Sequence, residues 1–123
     1  MNRTELARWG EEQAAQYLQA QGYIILTRNW RKREGEIDVV ALEGETLAFV
    51  EVKTRRTRTF GAPEESIDAR KQMQLARLAQ RYINENPQLK FHACRFDVVV
   101  VDWTTRPTQV RLYRNAFDAP DAE

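Results

Sequence analysis

The sequence predicts an α/β fold with elements in the order α-β-β-β-α-β-β, and three observations predict it. Two segments carry apolar residues at helical spacing, one near the N-terminus and one in the middle of the chain. Between them lie two strands with period-2 alternation, joined by the short turn Glu43-Gly44-Glu45-Thr46. After the second helix comes Phe96-Asp97-Val98-Val99-Val100-Val101, nearly all apolar, as expected for a central strand covered on both faces. Following a helical crossover, that strand is expected to run parallel to a neighbour.

Taken in order, the first helix is expected over Thr4 to Ala20, with Thr4 as N-cap and Gly22 at the left-handed C′ position. Its stripe reads Ala7, Ala14 and Leu18, with Tyr17 alongside. Strands are expected over about 23–28, 36–42 and 47–54. The last two form a hairpin if Gly44-Glu45 are the central residues of a II′-type turn. Residues 55–65, rich in Arg and containing Gly61 and Pro63, read as a loop suited to being ordered by a ligand. The second helix, Ser66 to Asn84, has the stripe Ile67, Lys71, Leu75, Leu78 and Tyr82, and Pro87 marks its end. Strands over 96–102 and 109–114 complete a single domain spanning 1–117, and 118–123 read as a frayed acidic tail.

The hairpin carries the most informative residues. Alternation puts Glu36 and Asp38 on one face of the first strand, and Phe49, Glu51 and Lys53 on one face of the second. With Gly44-Glu45 at the turn, Asp38 lies opposite Glu51, and Glu36 opposite Lys53. Like charges directly opposed across strands are destabilising, and a bound divalent cation is a good reason to keep them. The bland alternative is a solvated polar face, or a salt-bridge ladder involving Lys53. Glu11 falls inside the first helix's stripe, where a carboxylate is costly unless it pairs or coordinates a metal. A helix-to-strand salt bridge would serve equally well there. Lys71 occupies an apolar position of the second helix and either snorkels or leans towards the carboxylates.

Composition narrows the chemistry. A chain of 123 residues can bury a real core. It shows no apolar stretch of spanning length and no signal-like N-terminal segment, so no membrane role is expected. The single Cys94 forms no internal disulfide, and a reduced cytoplasmic compartment fits it best. One histidine, His92, argues against a zinc centre, whereas carboxylate ligands favour Mg²⁺ or Mn²⁺. Net charge is only +1, but its distribution is uneven. Arg28, Arg31, Lys32 and Arg33 precede the hairpin, and Lys53, Arg55, Arg56 and Arg58 follow it, with Trp30 among them. Cations beside an acidic cluster are what a phosphodiester-binding site needs, although a basic run alone is more often a solvated surface. Asp97 reads as a structural group or a support to the ligands rather than a ligand itself.

These residues carry a resemblance. Asp38, followed on the next strand by Glu51-Val52-Lys53, resembles the PD-(D/E)XK nuclease signature, and Glu11 matches the helix-one Glu of Holliday-junction resolvase-like members. More closely, Gly10-Glu11, Gly22-Tyr23, Arg28-Asn29, Gly35-Glu36-Ile37-Asp38, Phe49-Val50-Glu51-Val52-Lys53, Phe60-Gly61, Lys71, Arg95-Phe96-Asp97 and Asn115-Ala116-Phe117 look like the small bacterial YraN-like family. The likeness spans nearly the whole chain. One departure is Ile37, which stands where the superfamily signature has a proline.

The resemblance implies a restriction-endonuclease-like core, a mixed central sheet flanked by helices. It also implies that Asp38 and Glu51 bind Mg²⁺ (or Mn²⁺), with the Val52 carbonyl as a further ligand and Glu11 binding directly or through water. Lys53 would orient or help deprotonate the attacking water, and Glu36 would set Lys53 or join a second metal site. The expected function is metal-dependent cleavage of nucleic acid, branched or structured DNA in repair or recombination. Arg31, Lys32, Arg33, Arg55, Arg56, Arg58 and Lys71 would hold the backbone. Symmetric cutting would require a homodimer. The alternatives are a catalytically silent nucleic-acid-binding module and a protein-interaction domain with structural ions.

Overall fold

The computed structural model describes residues 1–55 and 67–118. The elements are α1 (Arg3–Ala20), β1 (Ile24–Lys32), β2 (Gly35–Glu43), β3 (Thr46–Arg55), α2 (Ala69–Glu85), β4 (Ala93–Asp102) and β5 (Gln109–Tyr113). The strands form one sheet in the order β1-β2-β3-β4-β5. All neighbours are antiparallel except β3 and β4, which run parallel across the α2 crossover. The predicted order and the predicted parallel strand are both present, in a mixed sheet.

The helices cover opposite faces. Ala14 and Leu18 of α1 pack with Val39, Ala41, Ala48, Val50, Val99 and Val101. Leu75, Leu78, Ala79 and Tyr82 of α2 pack with Ile37, Val40, Leu47, Phe49, Val98 and Val100. β4 supplies alternate valines to both clusters, which is why its sequence is apolar throughout. Tyr82 meets Trp30 and Phe49 edge-on, and Phe96 stacks on Phe117 with ring centroids 5.1 Å apart.

Several boundaries differ from the sequence expectation. Asn2, rather than Thr4, caps α1, because its side chain accepts from the Glu5 N–H while Glu5 reaches back to the Asn2 N–H. The buried residues of α1 are Leu6, Gly10, Ala14, Ala15 and Leu18, and Ala7 is exposed. A run at i, i+4, i+8 and i+12 that begins one residue earlier therefore forms the stripe. Asp68 caps α2 by accepting from the Lys71 N–H, so the helix starts later than Ser66. The Arg-rich loop falls largely on residues 56–66, outside the described residues, as do residues 119–123 of the tail.

The hairpin has the expected register where its strands pair, from Glu43↔Thr46 to Val39↔Val50. Gly44 sits at φ 59° with no left-handed residue after it, as a II′-type turn requires. Beyond Val39 the ladder stops, and Glu36 pairs with Arg31 of β1 instead of facing Lys53. The reason lies one strand away. Asn29 of β1 is left-handed (φ 52°), and the β1–β2 ladder steps over Asn29 and Asp38. On β2, Val39 packs towards α1 and Val40 towards α2, yet Ile37 also packs towards α2. Alternation is thus reset at Asp38. Glu36 is carried to the α1 side, where strict period-2 counting would not place it.

Candidate metal centre

Asp38 stands at this reset, only 8% exposed. Its Oδ2 accepts the Val52 N–H at 2.8 Å, so the carboxylate takes the place of the missing backbone partner between β2 and β3. The Asp38 and Glu51 carboxyls lie close enough to shift each other's ionisation. The β2–β3 ladder itself ends at Val39↔Val50, one residue short of the expected Asp38–Glu51 pair.

α1 delivers the next carboxylate. Gly10 is buried against Thr54 of β3, and a Cβ at that position would lie 1.9 Å from the Thr54 hydroxyl oxygen. Only a residue without a side chain lets the helix approach this closely. The next residue, Glu11, is then held over the sheet, and carboxylate oxygens of Glu11, Glu36 and Asp38 all lie within 4.8 Å of one another. Three acidic groups on α1 and β2 thus converge, with Glu51 of β3 joined to them through Asp38.

The electrostatics follow from this crowding. Burial pushes the Glu51 carboxyl up to about 7, reinforced by the charge of Asp38, while Lys71 and Lys53 act in the opposite direction. Burial also raises Asp38, with Glu36 adding to the effect and the Val52 N–H and Lys71 opposing it. Glu11 is raised by burial and then by the charges of Asp38 and Glu36. None of Glu11, Asp38 and Glu51 has a salt bridge among the described residues. A set of hard oxygen donors that resist ionisation together is suited to a divalent cation, which would offset their mutual repulsion.

The surrounding cations divide into two groups. Lys53 and Lys71 act electrostatically on Glu51, and Lys71 acts on Asp38 as well. Arg31 is bonded to Glu36 at 2.7 Å, Arg28 to Glu12 at 3.1 Å, and Lys32 to Glu85 at 3.0 Å while lying over the Trp30 ring. Arg33 is exposed beside them, and Arg55 ends β3. Arg56 and Arg58 lie outside the described residues. Sequence reasoning gave Glu36 only a secondary place, opposite Lys53. The one available signal was Asn29, since asparagine tolerates the left-handed backbone that resets the strands.

A model of the family described as "Uncharacterised protein family UPF0102" matches residues 10–101. The chain belongs to the UPF0102 family. Among UPF0102 proteins, that of Moorella thermoacetica is 47% identical over 119 residues, 95% of this chain and 98% of the relative. That of Desulfosudis oleivorans is 46% identical over 117 residues, covering 95% and 93%. That of Symbiobacterium thermophilum is 49% identical over 115 residues, covering 89% and 93%. The YraN-like resemblance is upheld at the level of this family. Glu11, Glu36, Asp38, Glu51 and Lys53 all fall within the segment that matches the UPF0102 model. No helix of the described residues is long and apolar enough to cross a membrane.

Proposed function

We propose that this UPF0102 protein is a metal-dependent endonuclease-like protein of the PD-(D/E)XK superfamily, with a restriction-endonuclease-like core. Its substrate is nucleic acid, in the first instance branched or structured DNA of repair or recombination in the cytoplasm. The observation that carries this reading is the convergence of Glu11, Glu36 and Asp38, with Glu51 raised by the charge of Asp38 and with Lys71 and Lys53 acting on Glu51.

In this reading Asp38 and Glu51 hold Mg²⁺ or Mn²⁺ with the Val52 carbonyl, and Glu11 binds it directly or through water. The bound ion supplies a Lewis acid for the phosphate and lowers the pKa of a coordinated water. Lys53 orients the attacking water and balances charge on the phosphate. Glu36, already held by Arg31, adds a fourth carboxylate able to support a second ion. Lys71 and the basic residues at the end of the hairpin hold the backbone. Symmetric cutting of a four-way junction calls for two copies of the chain.

The test is incubation of the purified protein with labelled four-way junction, flap, single-stranded and duplex DNA in Mg²⁺ or Mn²⁺. Asp38→Asn is expected to lose several kcal/mol of transition-state stabilisation, about a thousand-fold or more in rate, with Lys53→Ala also impaired. Cutting that Asp38→Asn leaves unchanged overturns the site. Binding without cutting by the wild-type protein points instead to a silent nucleic-acid-binding module.

A further inference from the structure

Pairing along the sheet places a second set of cations where the hairpin argument did not look. On β3, Phe49 belongs to the α2 face, so Glu51, Lys53 and Arg55 follow it on that face at every second residue. The strand therefore reads carboxylate, cation, cation, moving outwards from the candidate metal centre in steps of about 7 Å. β4 aligns Lys53 with Val100 and Arg55 with Asp102, and β5 aligns Arg111 with Val100. Arg111 thus joins Lys53 and Arg55 on the same face, two strands away. α2 lies over β2, leaving the β5 side of this face to a cleft of about 70 Å³ lined by Arg55, Val100, Asp102, Gln109, Arg111 and Tyr113.

Two arginines line this cleft, Arg55 and Arg111. Arg28, Arg31, Arg81, Arg95 and Arg114 all form salt bridges, whereas Arg55 and Arg111 form none with any described residue. The Asp102 carboxylate accepts from the Thr104 N–H at 2.8 Å and from the Thr104 hydroxyl, which directs it to the β4–β5 turn. Gln109 and Tyr113 add neutral polar groups to the rim.

We infer that this cleft is a phosphate-binding track in which Arg111 of β5, together with Arg55, holds the nucleic-acid backbone flanking the phosphate presented to the carboxylate cluster. The inference rests on the nucleic-acid reading above and extends it: the bound strand leaves the metal centre along β3 towards β5. Arginine suits the role, since its planar fork binds phosphate oxygens bidentately.

The experiment is fluorescence anisotropy with a labelled duplex bearing a single-stranded arm, in chelator, over a series of salt concentrations. Each phosphate contact contributes a little under one to the slope of log K against log salt. Arg111→Ala is expected to lower that slope by about one and to weaken binding equally across sequences. Arg111→Lys, which keeps the charge on an exposed strand position, is expected to retain most of the slope. Arg77→Ala, exposed on α2, is expected to leave it unchanged. A wild-type slope in Arg111→Ala overturns the track and leaves the nucleic-acid reading standing. Absence of any wild-type binding at low salt overturns both.

Discussion

Two groups of carboxylates, each built round a buried aspartate, sit in the same sheet, and they are built in opposite ways. Towards the hairpin end, Asp97 is fully enclosed and both its oxygens are occupied. Oδ1 accepts from Arg95 Nε at 2.8 Å and the Asn115 N–H at 2.9 Å; Oδ2 accepts from the Tyr23 hydroxyl at 2.7 Å and Arg95 Nη2 at 3.0 Å. Glu43 bridges Arg95 and Arg114, and these guanidiniums hold its carboxyl down at about 2. At the other site Asp38 receives one backbone N–H, and Glu11, Asp38 and Glu51 are all held above their ordinary values. A buried aspartate is common to both groups. Only the second has carboxylates facing carboxylates, so burial does not distinguish a structural acid from a ligand, whereas the partners do.

The first way to break the comparison is to remove the satisfied member. Asp97→Ala leaves Arg95 partly buried beside an emptied site and removes the acceptor of the Tyr23 hydroxyl, and is expected to cost about 3–5 kcal/mol in denaturant unfolding. Asp38→Asn, which keeps an acceptor for the Val52 N–H and removes a repelled charge, is expected to leave chelated stability unchanged or raised. If the two variants destabilise equally, the contrast fails.

A smaller effect is expected from Gly10→Ala. The added methyl would collide with Thr54 and lift α1 from β3, at a cost of about 1–3 kcal/mol. Because Glu11 follows Gly10, the same change should also shrink the rise in melting temperature produced by Mg²⁺. Loss of stability with an undiminished Mg²⁺ response would separate Glu11 from the metal centre.

The most diagnostic effect is in pH dependence. Glu43 has a depressed folded pKa, so its stabilisation is present above about 4.5 and is lost as pH falls towards 2. Glu51 has a raised one. The folded state then binds more protons than the unfolded chain between 4.5 and about 7, and chelated stability falls as pH rises through that window. Mg²⁺ is expected to reverse that fall, and Glu51→Gln to flatten it. Melting curves from about pH 2 to about pH 8, with and without Mg²⁺, span both windows and check both expectations.

Much of this was legible in the chain. Alternation of Glu36 to Asp38 and Phe49 to Lys53, with Gly44 between, placed Asp38 against Glu51 because side-chain period and turn type fix register locally. Glu11 was visible as an acid on a core-facing stripe, although the stripe itself runs through Leu6, Gly10, Ala14 and Leu18. Lys71 was visible as a cation on an apolar one. What escaped was Glu36. Its convergence on Glu11 depends on a left-handed Asn29 in one strand resetting alternation in the next, and no single-strand pattern records that. Arg111 escaped for a related reason: 56 residues separate it from Arg55, and only the β3–β4–β5 pairing brings them to one cleft.

By itself the sequence determined the order of elements, the hairpin register, the parallel placement of β4 and the identity of the central carboxylate pair, because each follows from short-range periodicity and turn chemistry. Tertiary structure alone decided which acids are neutralised and which are left to repel one another. That depends on which cations reach them across the sheet: Arg95 and Arg114 form salt bridges with Glu43, whereas Asp38 and Glu51 face other carboxylates and have no salt bridge among the described residues.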